Sequence, residues 1–323
     1  MKINSFNICP SLMTEGFDTF SPKARRELFD GAKVSPFTDI EYSAADYVGN
    51  VKRVSISGVL EKMFAVVDKS KLRLAVEGEQ SRYIIKPRPR SAMLVNAEYM
   101  PINEHLTMQI ASQVYGINTA HNALIVMGDG RPAYIVRRFD IAPDGSKYRQ
   151  EDFASILGKT AEDGANYKYE GSYLDIGRAI REIVPTWRFE LQKFFALVIF
   201  NYLFSNGDAH LKNFSLCTNK NGVFGLSPAY DLLNTSLHVS DSEFALSGGL
   251  GVGLSGNHPT LGDFASFGAE LGLVQKQIDK TLGIFTQKQA MVEILCSRSL
   301  LSKKCQRMYL RSYNERLARL QKK

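Results

Sequence analysis

The stretch "NGDAHLKN" (residues 206–213) sets Asp208 and Asn213 five positions apart in a polar loop. It follows the run "TWRFELQKFFALVIFNYLF" (186–204). Pro185 breaks the chain before that run, and Leu191, Phe194, Phe195, Val198, Ile199 and Tyr202 line one helical face. The following stretch, "NFSLCTNKNGVFGLSPAYD" (213–231), predicts a short hairpin turning at Asn221-Gly222 and ending on Asp231. A buried helix and a hairpin thus deliver two carboxylates and an amide to loop ends.

Upstream, residues 51–140 hold strand-like runs: "VKRVSIS", "KMFAVVD", "LRLAVEG", "RYIIKP", "NALIVMG" and "AYIVRRF". Among them "NEHLTMQIASQVYGI" (103–117) predicts a helix capped by Asn103, with Leu106, Ile110, Val114 and Ile117 at helical spacing. Residues 1–50 read as an irregular lead-in. Its short helix lies near "SPKARRELF", where Ser21 caps and Pro22 opens. After residue 150 the pattern is mostly helical. The expected fold is α+β in two lobes: a β-rich one over 1–140 and a mostly helical one over 141–323.

Composition narrows the class. A chain of 323 residues, 44% hydrophobic and 23% charged, has enough apolar material for two lobes with a real core. Cys9, Cys217, Cys296 and Cys305 form no C-x-x-C pair and the five histidines are scattered, which argues against a zinc site and a disulfide framework. The most apolar run, "FFALVIFNYLF" (194–204), is too short to span a bilayer, and the N-terminus has no long apolar segment of a signal peptide. No membrane association and a cytoplasmic location are expected. The formal charge of +7 sits at the C-terminus: residues 297–323 hold nine Lys or Arg against one acid, Glu315. Tyr309, Tyr313, Leu317 and Leu320 fall on one face there. The expectation is a terminal helix docked by that stripe with a solvated basic face; a nucleic acid or acidic partner is the alternative.

Four polar spots recur in order: the Ser/Gly turn in "SISGVLEK" (55–62), Lys86 at a strand end, the 206–213 loop, and Asp231. Each alone has an ordinary structural explanation. Together they match what phosphoryl transfer needs: a loop over phosphates, a lysine, metal ligands and a residue that orients a hydroxyl. Asp208 and Asn213 have the D-x-x-x-x-N spacing of a kinase catalytic loop. Asp231 follows a hairpin, as a second metal-binding Asp does. Lys86 precedes Glu98 and Glu104, of which Glu104 is the preferred ion-pair partner.

The elements "SISGVLEK", "YIIKP", "NEHLTMQIA", "VRRFD", "QEDFA", "NGDAHLKNFSL" and "LSPAYDLLNT" together resemble the HipA family of bacterial serine/threonine kinase toxins, over roughly residues 1–310. The most specific pieces are "NGDAHLKN" and "SPAYDLL". The chain is expected to lack the additional N-terminal domain of longer members. That makes it similar to the short HipT type, whose missing part is a separate small protein. The resemblance implies a two-lobed protein-kinase-like fold using ATP and Mg²⁺. Asp208 would orient or deprotonate the substrate hydroxyl, and Asn213 and Asp231 would hold Mg²⁺. Lys86 would contact the ATP phosphates, with Glu104 as its partner. Arg137 to Phe139 would be the hinge along adenine, and Gln150 and Glu151 would lie near the nucleotide. His210 and Lys212 would face the γ-phosphate. The turn of Ser55, Ile56, Ser57 and Gly58 would cover the phosphates, with Ser55 and Ser57 as autophosphorylation sites whose added charge repels nucleotide.

The sequence departs from protein kinases in general. No G-x-G-x-x-G stands at 55–62, the loop opens Asn206-Gly207-Asp208 instead of His-Arg-Asp, and His210 takes a position where protein kinases have Lys. Arg137 stands where an acidic residue is common in the family. The implied substrate is an aminoacyl-tRNA synthetase, tryptophanyl for the short type. The implied partners are a DNA-binding antitoxin and the small protein, with indirect DNA association. A small-molecule phosphotransferase and a non-catalytic pseudokinase partner of an antitoxin–DNA complex stay open as alternatives.

Overall fold

The computed structural model describes residues 1–41, 62–91, 93–240, 242–253 and 258–322. Helix α1 (Pro22–Phe29) starts where expected, with Ser21 Oγ accepting from the Ala24 amide and Pro22 in its first turn. Five antiparallel strands follow: β1 (Met63–Asp68), β2 (Lys71–Leu74), β3 (Tyr83–Lys86), β4 (Asn122–Val126) and β5 (Pro132–Arg137), in the order β2-β1-β3-β5-β4. The β1–β2 turn puts Lys69 and Ser70 at φ of 46° and 66°, the two positive values of the turn type that matches strand twist. Helix α2 (Met100–Gln113) connects β3 to β4.

Beyond residue 140 come β6 (Gln150–Asp152), the one-turn α3 (Phe153–Ile156), α4 (Tyr173–Ile183), α5 (Trp187–Leu203), β7 (Ser215–Thr218) and β8 (Phe224–Leu226). Four further helices close the chain: α6 (Leu261–Glu270), α7 (Gln275–Phe285), α8 (Ala290–Arg298) and α9 (Lys303–Gln321). Strands β6, β7 and β8 form a second antiparallel sheet of three.

Period-two alternation divides the large sheet. Ala133 and Ile135 of β5 pack with Phe20, Leu28 and Phe29 under α1. Tyr134 and Val136 face α2 and join a larger core that continues into Phe194, Phe195 and Val198 of α5. Helix α2 lies between the sheet and helix α8, with Thr107 reaching Tyr309 of α9, and every residue from Met100 to Ala111 is buried.

Three expectations need correction. Asn103 does not cap α2. The helix starts three residues earlier, at Met100, and Asn103 is fully buried inside it, donating to the Asn234 carbonyl (2.8 Å) and accepting from its amide (3.1 Å). The hairpin does not turn on two residues. Residues 219–223 connect β7 to β8, with Asn219 Oδ1 accepting from the amides of Asn221 (2.9 Å) and Val223 (3.2 Å). The basic helix is not uniformly solvated. Tyr309, Tyr313, Leu317 and Leu320 are buried as expected, but so is Arg316. Its guanidinium pairs with Glu243 and stacks 4.6 Å from the Tyr202 ring centroid. Arg319 reaches the same Glu243 (2.7 Å), leaving Lys303, Lys304, Arg307 and Arg311 as the exposed basic row. The predicted strand at 51–57 lies outside the described residues. Among the described residues, no helix is long and apolar enough to cross a membrane.

Candidate active site

The loop after α5 is built by backbone satisfaction. Ser205, at φ 50°, ends the helix, and the Asn206 amide donates to the Asn201 carbonyl (2.8 Å). Asn206 Nδ2 donates to Asn201 Oδ1 (2.9 Å) and to the Asp231 carbonyl (3.3 Å), tying the loop to the segment after β8. The Gly207 amide donates to Thr235 Oγ1 (2.9 Å). A Cβ at Gly207 would lie 2.3 Å from Ser242 Oγ and 3.2 Å from Thr235 Oγ1, so any larger residue there forces the Ser242 side chain to move. A 3₁₀ turn over Leu211–Asn213 then carries Asn213. Asp231 itself sits at φ 56°, a left-handed conformation that a non-glycine residue holds only when its surroundings enforce it.

These elements converge on one cavity of about 340 Å³, lined among others by Asp208, His210, Asn213 and Asp231. Beside it Lys86, at the end of β3, donates to Glu104 Oε1 of α2 (2.6 Å) and to Asp231 Oδ1. The ion pair expected of Lys86 and Glu104 is therefore present, and Glu98 plays no part in it. Burial alone would push the Lys86 ammonium down, but Asp231 and Glu104 outweigh it and hold it above the ordinary lysine range. Burial likewise acts to raise Asp231, yet the neighbouring Lys86 holds its carboxyl well below the usual range. Glu104 is pushed up by burial to about 7 against the pull of Lys86. His210 is pushed down by burial to about 4, with the Asp208 carboxylate acting the other way.

Two expected site residues face partners of their own. Lys212 donates to Asp152 Oδ2 (2.6 Å), the residue that caps α3. Arg137 turns to α1, pairing with Asp30 (2.8 Å) and donating to the Glu27 carbonyl (3.1 Å). Arg137 and Phe139 line a different cavity, of about 380 Å³, with His121 and Pro228. Phe139 also packs on Tyr230 at 5.6 Å between centroids, and Gln150 Nε2 donates to Ser215 Oγ (3.1 Å). Glu151 is paired only with Arg149 (3.5 Å) among the described residues. Ser55, Ile56, Ser57 and Gly58 lie outside them.

Sequence reasoning missed three contributors. Tyr169 donates its hydroxyl to Asp208 Oδ1 (2.7 Å). Lys168, its buried neighbour, lines the cavity. Tyr230 donates to the Lys212 carbonyl (2.9 Å), bracing the loop from the position before Asp231. The first two come from a polar stretch without periodicity and carry no sequence signal.

The donor set suits a hard divalent cation. The Asn213 side-chain amide and Asp231 Oδ2 have no hydrogen-bond partner among the described residues, and both residues line the cavity. Among the described residues no group of three or more His, Cys, Asp or Glu could cage a metal alone. That fits Mg²⁺, which keeps waters and shares its coordination with phosphate oxygens.

A family model, the HipA-like C-terminal domain, matches residues 54–293. A Haemophilus influenzae protein provisionally named a kinase is 25% identical over 96% of this chain and 95% of its own length. Y4dM of Sinorhizobium fredii, also provisionally named a kinase, is 30% identical over 64% of this chain and 51% of itself. Among solved structures, HipA of Shewanella oneidensis, determined with HipB and operator DNA, superposes with a TM-score of 0.63. The identity is 19%, covering 87% of this chain and 70% of that one. The Helicobacter pylori proinflammatory kinase CtkA gives a TM-score of 0.50 at 12% identity, covering 80% and 94%. With three quarters of its length inside the family model and a mixed α/β architecture shared with HipA and a kinase, this chain belongs to the HipA-like C-terminal domain family.

Proposed function

We propose that the chain is an ATP- and Mg²⁺-dependent serine/threonine protein kinase acting as the toxin of a bacterial toxin–antitoxin system. The observation that carries this reading is the convergence of Asp208, Asn213 and Asp231 on one cavity beside the Lys86–Glu104 ion pair. Lobes over 1–140 and 141–323 accord with the two sheets, which fall on either side of residue 140. Asn213 and Asp231 would hold Mg²⁺, which when bound neutralises charge on the phosphates. Lys86, oriented by Glu104, offers an ammonium to the nucleotide phosphates. Asp208, one oxygen fixed by Tyr169, takes the proton of the acceptor hydroxyl as that oxygen attacks the γ-phosphorus.

The substrate is proposed to be an aminoacyl-tRNA synthetase, the tryptophanyl enzyme first, on the strength of the short-type resemblance. An antitoxin with a DNA-binding domain and a small protein equivalent to the extra N-terminal domain complete the system. The association of the Shewanella HipA with HipB and operator DNA supports that partner class. Ser55 and Ser57 are proposed as autophosphorylation sites, and the setting as cytoplasmic.

The test is γ-phosphate transfer with Mg²⁺, wild type against Asp208→Ala, with a panel of synthetases and the protein alone. Label on one synthetase or on the chain itself, lost in the variant, supports the reading. Peptide mapping against Ser55→Ala/Ser57→Ala places the self-modification. Nucleotide binding with no transfer to any protein refutes protein kinase activity.

A further inference from the structure

The catalytic loop has no cation free to meet a phosphoryl group. His210 stands two residues after Asp208, buried, with Nδ1 unpartnered among the described residues. Lys212 is engaged by Asp152, and Lys86 by Glu104 and Asp231. Lys62 and Lys168 both line the cavity without an ion pair among the described residues, and Lys168 is the more buried of the two. It is only 7% exposed, it lines the cavity of Asp208, Asn213 and Asp231, and no carboxylate among the described residues lies within ion-pair distance of its ammonium. Its contact is the ring of Tyr169, 4.8 Å from Nζ to the centroid. That ring meets His210 edge-on at 5.1 Å, and its hydroxyl holds Asp208. The Tyr169 carbonyl accepts from the Ser247 amide (2.8 Å), anchoring the 3₁₀ turn Tyr167–Tyr169 to the segment that follows Asp231. The Asp208 carboxylate acts on this ammonium through space, but no ion pair holds it, so its charge is available to an anionic ligand in the cavity.

Resting on the kinase reading, we propose that Lys168 supplies from this separate turn the cation that meets the transferring phosphoryl group, and that Tyr169 is a positioning residue for Asp208. In that step a bond forms between the acceptor oxygen and the γ-phosphorus. The bond from that phosphorus to the β–γ bridging oxygen breaks, its electron pair leaving with ADP. The acceptor proton passes to the Asp208 oxygen that Tyr169 does not hold, and Lys168 keeps its protons while its charge tracks the equatorial oxygens.

The test compares wild type, Lys168→Ala, Lys168→Gln, Lys168→Arg and Tyr169→Phe as full chains. Calorimetry measures affinity for Mg-ADP alone and for Mg-ADP with aluminium fluoride, a mimic of the phosphoryl group in flight. Single-turnover transfer from ATP measures the chemistry. Lys168→Ala should leave Mg-ADP affinity within about threefold but lose the added affinity from aluminium fluoride and slow transfer about a hundredfold, with arginine restoring most of both. Tyr169→Phe should lower kcat with the KM for ATP unchanged. If Lys168→Ala fails to fold, Lys168→Gln carries the comparison. Equal loss of Mg-ADP and aluminium fluoride binding, or transfer at the wild-type rate in Lys168→Ala and Lys168→Gln, overturns the proposal. A wild type with neither transfer nor an aluminium fluoride gain instead overturns the kinase reading on which it rests.

Discussion

Replacing Lys86 with methionine should cost far more stability than replacing Glu104 with glutamine, although the two side chains form one ion pair of 2.6 Å. The ammonium is shared with Asp231, so the cluster holds one cation between two carboxylates. Methionine leaves the two carboxylates facing each other, Glu104 buried and Asp231 at the cavity wall. Removing one partner of a buried pair costs about 3–5 kcal/mol. Glutamine removes the surplus negative charge instead, and its carbonyl still accepts from Lys86. It gives up a charge-assisted bond worth about 1.5–3 kcal/mol, but it also removes the cost of holding a buried carboxylate ionised. The net loss for Glu104→Gln should therefore stay near 1 kcal/mol, a gap of about 2–4 kcal/mol between the variants.

Guanidinium unfolding without nucleotide or metal measures this, read at Trp187, the sole tryptophan, which stacks with Arg181 and Arg188. The pH dependence has a definite sign. Burial raises the Glu104 carboxyl from its ordinary 4.5 to about 7, so between those values the folded chain holds a proton that the unfolded chain has released. Its contribution is fully present below the unfolded value and is lost as pH rises toward the folded one, by at most about 1.4 kcal/mol per pH unit. Glu104→Gln lacks that loss, so its stability relative to wild type should improve from pH 5 to 7. Equal destabilisation by the two variants at pH 7.5, or parallel wild-type and glutamine pH curves, would refute the shared-cation reasoning.

Gly207→Ala should destabilise by about 1–3 kcal/mol, since its methyl meets Ser242 Oγ at 2.3 Å and Thr235 Oγ1 at 3.2 Å. Adding Ser242→Gly should recover much of that loss in thermal melts, and an unshifted melt for the single variant would contradict the close approach. Arg316→Ala should cost about 3 kcal/mol through its lost packing on Tyr202 and its pairing with Glu243, whereas Arg311→Ala, on the exposed Glu315 pair, should cost under about 0.5 kcal/mol in the same denaturation assay. Asn213→Ala should raise the Mg²⁺ concentration for half-maximal nucleotide binding about tenfold or more, and an unchanged titration would remove Asn213 from the metal site.

The parts of this fold that were legible in the sequence are those specified locally. The α5 stripe, the Asn-Gly-Asp loop opening and the Ser21-Pro22 helix start each announce themselves within a few residues, and the kinase pattern of a strand lysine followed by a helix glutamate paired Lys86 with Glu104. Asn103 shows the limit. An asparagine ahead of an apolar period reads the same whether it caps a helix or lies buried within one, and what distinguishes the two is Asn234, 131 positions away. Lys168 and Tyr169 sit in a stretch with no period to read. Arg316 is a different case, because its signal was present. It falls three residues after Tyr313, seven after Tyr309 and four before Leu320, on the buried stripe of α9, whereas Lys304 and Arg307 do not. A cation on the apolar face of a helix requires a buried counter-charge, so the position alone predicts an acidic partner across the interface. Which acid answers depends on the path of the chain after Asp231. Glu243 lies beside Ser242, the residue packed against Gly207, so the terminal helix is coupled to the 206–213 loop through a contact that no local pattern encodes.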